Sequence, residues 1–391
     1  MHMTRTSATF PPPILEAKSW LSQVQLPPEK PLIDLSQAAP ALPPPVEMRE
    51  AMAEAVLTDP SIHLYGPDLG HMPLRAALAE QTTRLYKGLV RPEQVAITSG
   101  CNQAFCAAIA SLTDQGDEVI LPTPWYFNHK MWLDQSGVTA VPLTTDASFL
   151  PDPDQARALI TPKTRAIILV SPNNPTGAEY PPALIEAFYL LAREAGIHLI
   201  LDETYRDFRA SELPAHDLFA DPDWPEAFIH LYSFSKAYRL TGHRVGAMIT
   251  SVSRLAEVEK FIDSVTICPT GLGQAAALWG LQNLDEWLKG ERLEILTRRQ
   301  AAEEAFEPLK DCGWKLHSSG AYFAYASHVD ATNTSNAALK ILEETGLLML
   351  PASMFRPQSD PAGASEFRIA FANIDAATIK EMGNRLETFR F

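Results

Sequence analysis

Residues 165–205 read RAIILVSPNNPTGAEYPPALIEAFYLLAREAGIHLILDETY. Two short apolar runs, Arg165–Val170 and Ile197–Leu201, flank Ala183–Ala195, where apolar residues recur with helical spacing until Gly196 stops them. A strand, a helix and a second strand in that order make a crossover unit. Runs that are apolar at nearly every position belong to strands buried on both faces. Polar residues gather where each strand should end: SPNNPTG after the first and DETY after the second.

The same alternation extends outward. Gln94–Thr98 leads through Ser99–Gly100 into a helical stretch from Asn102 to Leu112. Glu118–Leu121 is a short apolar run ending at Pro122, and Phe228–Tyr232 ends in SFSK. The predicted class is α/β, with a mostly parallel central sheet flanked by helices. From about residue 291 the pattern changes to a long charged helix, Glu291–Lys310, strand-like runs at Gly320–Ala326 and Glu366–Ala370, and a helix at Asn336–Thr345 between them. That reads as a smaller α+β domain. The first fifty residues are rich in proline and predict an extended arm with one short amphipathic helix at Ile14–Leu21. Such an arm packs on a neighbouring subunit or lies on the surface as coil. The expected division is a large domain over 49–290, with 1–48 and 291–391 forming the arm and a small domain.

A chain of 391 residues leaves room for two or three domains. With 32 Lys and Arg against 47 Asp and Glu, the net charge is −15. Phosphate backbones and anionic membranes repel such a chain, so no nucleic-acid or membrane partner is expected. Cys101, Cys106, Cys268 and Cys312 show no CxxC spacing, so neither a metal site nor a disulfide framework is expected, and the cytoplasm is the expected compartment. No apolar run approaches the ~20 residues of a membrane helix. The opening MHMTRTSATFPPP lacks the apolar core of a signal peptide.

In open α/β sheets, ligands bind beyond the carboxyl ends of the strands. Gly100–Cys101–Asn102 stands at a helix start, where free N–H groups and the dipole suit a phosphate. Lys236, after a buried strand, is placed to have a lowered pKa and act as a nucleophile, with Ser233 and Arg244 as further anion contacts. Asp202 with Tyr205 closes an apolar strand, and a carboxylate buried there needs a cationic partner. Asn174–Pro175–Thr176–Gly177 is good turn chemistry that also offers an amide. Arg368, in EFRIAFAN, has apolar neighbours and would be well paired by a bidentate carboxylate. Taken singly, each has a plain reading as a turn, a surface charge or an edge-strand arginine.

In this order and spacing, from about Asp34 to Phe371, the motifs resemble the class I/II aminotransferases of the fold-type I pyridoxal-phosphate enzymes. The resemblance implies pyridoxal 5'-phosphate held as a Schiff base on Lys236, with Asp202 on its pyridine nitrogen. It implies Tyr205 and Asn174 on the ring hydroxyl, and Tyr126 of PTPWYF, rather than Trp125, stacked on the ring. Gly100, Cys101, Asn102, Ser233 and Arg244 become the phosphate cup. Arg368 becomes the clamp on the substrate carboxylate. It further implies a homodimer in which Tyr65 of LYGPDLG reaches the neighbouring subunit's phosphate. One departure is Ala38 in LSQAAP, where the family has a glycine against the substrate carboxylate. The implied reaction is a ping-pong transfer of an amino group from an L-amino acid to a 2-oxo acid. The rivals are a C–S β-lyase on the same scaffold and a non-catalytic regulator that binds the cofactor. Thr266–Gln274 holds no arginine or lysine, which favours a neutral or aromatic donor; His63, His129 and Lys130 are the cations that could alter this.

Overall fold

The computed structural model describes residues 4–391. Seven strands form the larger sheet. They are β1 (Val95–Thr98), β2 (Glu118–Thr123), β3 (Thr139–Thr144), β4 (Thr164–Val170), β5 (His198–Asp202), β6 (Phe228–Ser233) and β7 (Gly246–Ile249). Their order is β1-β7-β6-β5-β4-β2-β3, parallel throughout except that β7 runs against both its neighbours. Every residue of β1, β6 and β7 is buried, as continuous apolar runs require of a sheet covered on both faces.

A second, antiparallel sheet contains β8 (Trp314–Gly320), β9 (Phe323–His328), β10 (Leu350–Pro351) and β11 (Glu366–Ala370), in the order β10-β11-β9-β8. It has its own apolar core, centred on Phe306, Trp314, Phe355, Phe367 and Ile369. Residues Ile33–Asp34 pair in parallel with Leu347–Leu348, tying the N-terminal segment to this part of the fold.

The structure corrects four expectations. The run 320–326 is the centre of a hairpin: β8 ends at Gly320 and β9 begins at Phe323. Its turn residues, Ala321 and Tyr322, are buried, and the only turn signal is Ser319–Gly320 just before them. The long helix begins at Asp285, not Glu291, and gives way to a 3-10 turn after Phe306. Asp285 and Glu286 suit the positive end of its dipole, and Gly290 is tolerated inside it. β2 continues through Pro122, beyond the last residue that pairs with β4, so on that side the missing N–H breaks no ladder bond. The proline-rich arm forms the helix Pro13–Ser19, whose Ala17 is buried, together with the following Trp20, in the second core of the same chain.

Candidate active site

The ends of β4, β5 and β6, the start of the helix Cys101–Leu112, and Arg368 of β11 border one cavity of about 220 Å³. The sequence placed these residues at strand ends. The packing of the two sheets brings Arg368 to meet them.

Lys236 lies in the short helix Phe234–Ala237 directly after β6. Its Nζ donates to the carbonyl oxygen of Ala38 at 2.8 Å. Burial, with the charges of Arg244 and Arg368, lowers its pKa to about 8. An appreciable fraction of a lysine so placed is a neutral amine near physiological pH.

Asp202 is the last residue of β5 and is buried. Its Oδ1 accepts the Thr204 N–H at 2.9 Å, and its Oδ2 lies 3.3 Å from Nε2 of His129. Burial works to raise its pKa, but His129 and Thr204 outweigh that and hold the carboxyl below its usual range. His129 is therefore the carboxylate's support behind the cavity and does not line it. Its ring packs on Phe105, with centroids 4.0 Å apart, and edge-on to Tyr126 at 5.0 Å. The signal for it was its place three residues after Tyr126 at a helix start, which puts both side chains on one face.

Tyr126 and Tyr205 both line the cavity, and the Tyr126 hydroxyl donates to Asn102 Oδ1 at 3.4 Å. Burial pushes the Tyr205 hydroxyl well above its ordinary pKa. Trp125 is buried outside the cavity lining.

At the opposite end is an anion cradle. Gly100 has φ +86°, and a Cβ there would overlap the Arg244 guanidinium. The turn can thus be this tight only around glycine. The amides of Cys101 and Asn102 open a twelve-residue helix and have no intrahelical acceptor. Arg244 Nη1 lies 3.5 Å from Ser235 Oγ and 3.0 Å from the Thr241 carbonyl, and no carboxylate pairs with it among the described residues. Ser233 also lines the cavity; Ser235 was missed by the sequence reading, although it stands in the same SFSK run.

Arg368 is only 2% exposed. Nη1 donates to Asn174 Oδ1 at 3.1 Å and Nη2 to the Ser36 carbonyl, while Nε has no partner. The rings of Phe355, Phe323 and Phe127 surround it at 5.0, 5.3 and 5.9 Å. Burial lowers its pKa to about 10. No carboxylate pairs with it among the described residues. This is a desolvated cation facing a cavity with room for an anion.

Tyr65 is 81% exposed and lies outside this cavity. His63 and Lys130 are also outside the lining: the His63 ring contacts the Val56 carbonyl, and Lys130 pairs with Asp134. Ile14, Gln37, Phe127 and Asn128 line the cavity unanticipated, Ile14 because the arm folds back on its own chain.

A family model described as aminotransferase class I and II matches residues 30–386. An aromatic aminotransferase of Arabidopsis thaliana is 30% identical over 78% of this chain and 76% of its own length. An aspartate/prephenate aminotransferase of Thermus thermophilus is 28% identical over 83% of this chain and 84% of its own. The solved aspartate aminotransferase from Thermus thermophilus with maleate superposes with a TM-score of 0.88 at 26% identity, covering 99% of both chains.

Proposed function

This chain belongs to the class I and II aminotransferases, and we propose that it moves the amino group of a neutral or aromatic L-amino acid to a 2-oxo acid by a ping-pong mechanism. Its cofactor is pyridoxal 5'-phosphate. The cavity fits that group. A glycine turn capped by an arginine suits the phosphate, a buried carboxylate suits a protonated ring nitrogen, and a lysine of lowered pKa suits the aldehyde.

In this reading Lys236 would hold the cofactor through its aldehyde, and Gly100, Cys101, Asn102, Ser233, Ser235 and Arg244 would hold its phosphate. Asp202 pairs with the ring nitrogen, Asn174 and Tyr205 address the ring hydroxyl, and Tyr126 covers the ring face. When bound, the cofactor supplies an aldehyde that takes up the amino group and a ring that draws electrons from the Cα–H bond. Arg368 binds the substrate carboxylate bidentately and fixes where Cα lies. Lys236 Nζ would take the Cα proton as general base, and its lowered pKa suits that task. His129 keeps Asp202 ionised throughout. The Ala38 carbonyl accepts a hydrogen bond from Lys236 Nζ and would steer the free amine, and Ala38 borders the cavity.

The observation that carries this reading is Arg368: a buried guanidinium with a free N–H, bordering the same cavity as the lysine amine. The neutral donor rests on the remaining lining, Ile14, Gln37, Phe127 and Asn128, which adds no cation beyond Lys236, Arg244 and Arg368 among the described residues.

The proposed assembly is a homodimer. Leu57, Leu64 and Tyr65 are exposed large side chains close together in the sequence, and Tyr65 would reach the partner's phosphate. Residues 49–290 are proposed as the cofactor-binding domain and 1–48 with 291–391 as the second. The cytoplasm is the proposed compartment, on the cysteine pattern. No helix among the described residues is long and apolar enough to cross a membrane.

The test is the visible absorbance of the cofactor-loaded protein. One neutral or aromatic amino acid alone should abolish the lysine-bound band, and a 2-oxo acid should restore it. Aspartate outperforming every neutral donor would overturn the donor class. Release of pyruvate and ammonia without an acceptor would point to elimination.

A further inference from the structure

Behind the candidate active site lies a buried ionisable cluster that the proposed reaction does not use. Asp202, Thr204 and Tyr205 border the cavity, but Glu203 among them does not. Successive side chains of an extended segment point to opposite sides, and Glu203 turns away to meet β6 and the end of the helix Met72–Tyr86. It is fully buried. Its N–H donates to the Leu231 carbonyl at 3.0 Å, which continues the β5–β6 ladder past Asp202.

Donors from three parts of the chain converge on one oxygen of this carboxylate. Oε2 accepts the Tyr86 hydroxyl and lies 2.8 Å from Nε2 of His230 in β6. Nε2 of His216, in the loop before β6, stands 3.5 Å from the same oxygen. Nδ1 of His216 accepts the Leu218 N–H at 3.2 Å, so in a neutral ring Nε2 carries the proton. Tyr86 stacks on His216 with ring centroids 4.4 Å apart. Oε1 has no partner. The other charges packed here are Arg206, whose guanidinium lies 3.7 Å from the Tyr232 ring, and Asp207, which accepts the Tyr232 hydroxyl at 2.9 Å. Burial works against ionisation of Glu203, but His216 and His230 outweigh it and hold the carboxyl well below its usual range.

A buried carboxylate adds little stability, since apolar side chains of the same volume often do as well or better. What it adds is a fixed point. Donors gathered on one oxygen define where residue 203 sits, next to Asp202 and two residues before Tyr205. They also tie that segment to β6, whose continuation carries Lys236.

We infer that Glu203 is a positioning residue for amino transfer: Tyr86, His216 and His230 fix its carboxylate, and through the backbone it sets Asp202 and Tyr205 against the ring of a cofactor held by Lys236. This rests on the reading that Asp202 and Tyr205 address that ring.

The test compares Glu203→Met, which fills the space without an acceptor oxygen, with Glu203→Gln, which keeps one. Absorbance titration of the apoprotein with pyridoxal 5'-phosphate should give a Kd about tenfold weaker for Glu203→Met and within about threefold of wild type for Glu203→Gln. In the loaded enzyme, Glu203→Met should lower kcat about tenfold or more and leave the amino acid KM within about twofold, since Arg368 stands on the other sheet. In a background already carrying Asp202→Asn and Tyr205→Phe, Glu203→Met should change the cofactor Kd by less than about twofold, because the groups it positions are gone. If Glu203→Met does not fold, Tyr86→Phe, which removes one donor, decides the matter with an expected weakening of about threefold. The proposal is overturned if the folded variant binds the cofactor like wild type, or if the loss is equal in both backgrounds. Wild-type affinity in the Asp202→Asn, Tyr205→Phe protein itself would overturn the underlying reading and the proposal with it, an outcome seen without any change at Glu203.

Discussion

Nε2 of His129 lies 3.3 Å from Oδ2 of Asp202, and both side chains are almost fully withdrawn from solvent. A buried hydrogen bond to a charged group is worth about 1.5–3 kcal/mol. His129→Leu should therefore weaken cofactor binding by about tenfold or more, while His129→Asn, which still donates, should recover much of it. Absorbance titration of the apoprotein measures both. The pH profile of the cofactor band should also shift in His129→Leu alone, because burial then raises the Asp202 pKa against Thr204 only. A leucine variant with wild-type affinity and profile would remove His129 from the site.

Arg368 is buried beside the cavity without a counter-ion. Arg368→Met should lower kcat/KM for amino acid and 2-oxo acid alike by about 10²-fold or more, as expected for breaking a buried charge pair worth about 2–5 kcal/mol. The preference for an amino acid over the amine lacking its carboxylate should collapse. Arg368→Lys should not restore it, since a point charge cannot make the bidentate contact. The apo Arg368→Met protein should be at least as stable as wild type, because an unpaired buried cation is lost. Thermal melts check that.

Lys236 has its pKa lowered from 10.5 to about 8, first by burial and then by Arg244 and Arg368. In apoprotein the capture of an aldehyde should speed up by about tenfold from pH 7 to pH 9 and then level off, following the neutral fraction of the amine. Between about pH 8 and 10.5 the unfolded chain holds the proton that folded Lys236 has released. Stability should therefore rise with pH across that window, and Lys236→Met should lose the rise. Stopped-flow absorbance and urea melts at stepped pH measure the two effects.

Gly177, at the end of the NNPTG turn, and Gly320, at the end of β8, meet backbone to backbone; a Cβ on Gly320 would overlap the Gly177 carbonyl. Gly320→Ala should force the turn and the second sheet apart and cost about 1–3 kcal/mol, read from urea melts. Because Asn174 sits in the same turn and bonds Arg368, substrate KM should rise with it. An unchanged KM alongside lost stability would mean the turn shifts without carrying Asn174.

Much of the fold was legible because its signals are local. Strands β4 to β6 showed as nearly continuous apolar runs, and the polar residues that follow them are covalently attached to the strand ends. Strand β7 and the hairpin turn at Ala321–Tyr322 were not legible: the strand is short and without polar alternation, and the turn's own residues continue the apolar run after Ser319–Gly320. The separate roles of three candidate cations were hidden for a related reason. His63, His129 and Lys130 were equivalent as cations in the sequence, yet one touches a backbone carbonyl, one supports Asp202 and one pairs with Asp134.

The sequence by itself determined the fold class, the family resemblance and the residues gathered at the strand ends, since short-range pattern encodes periodicity and adjacency. Only the tertiary structure decided which groups are stripped of water and which partners they then meet. Lys236 finds the carbonyl of Ala38, Arg368 finds Asn174, and Ile14 of the arm borders the same cavity. These meetings span large stretches of chain and are set by how two sheets and an arm pack together. Desolvation, which lowers the pKa of both Lys236 and Arg368, is a property of that whole packing and of no segment within it.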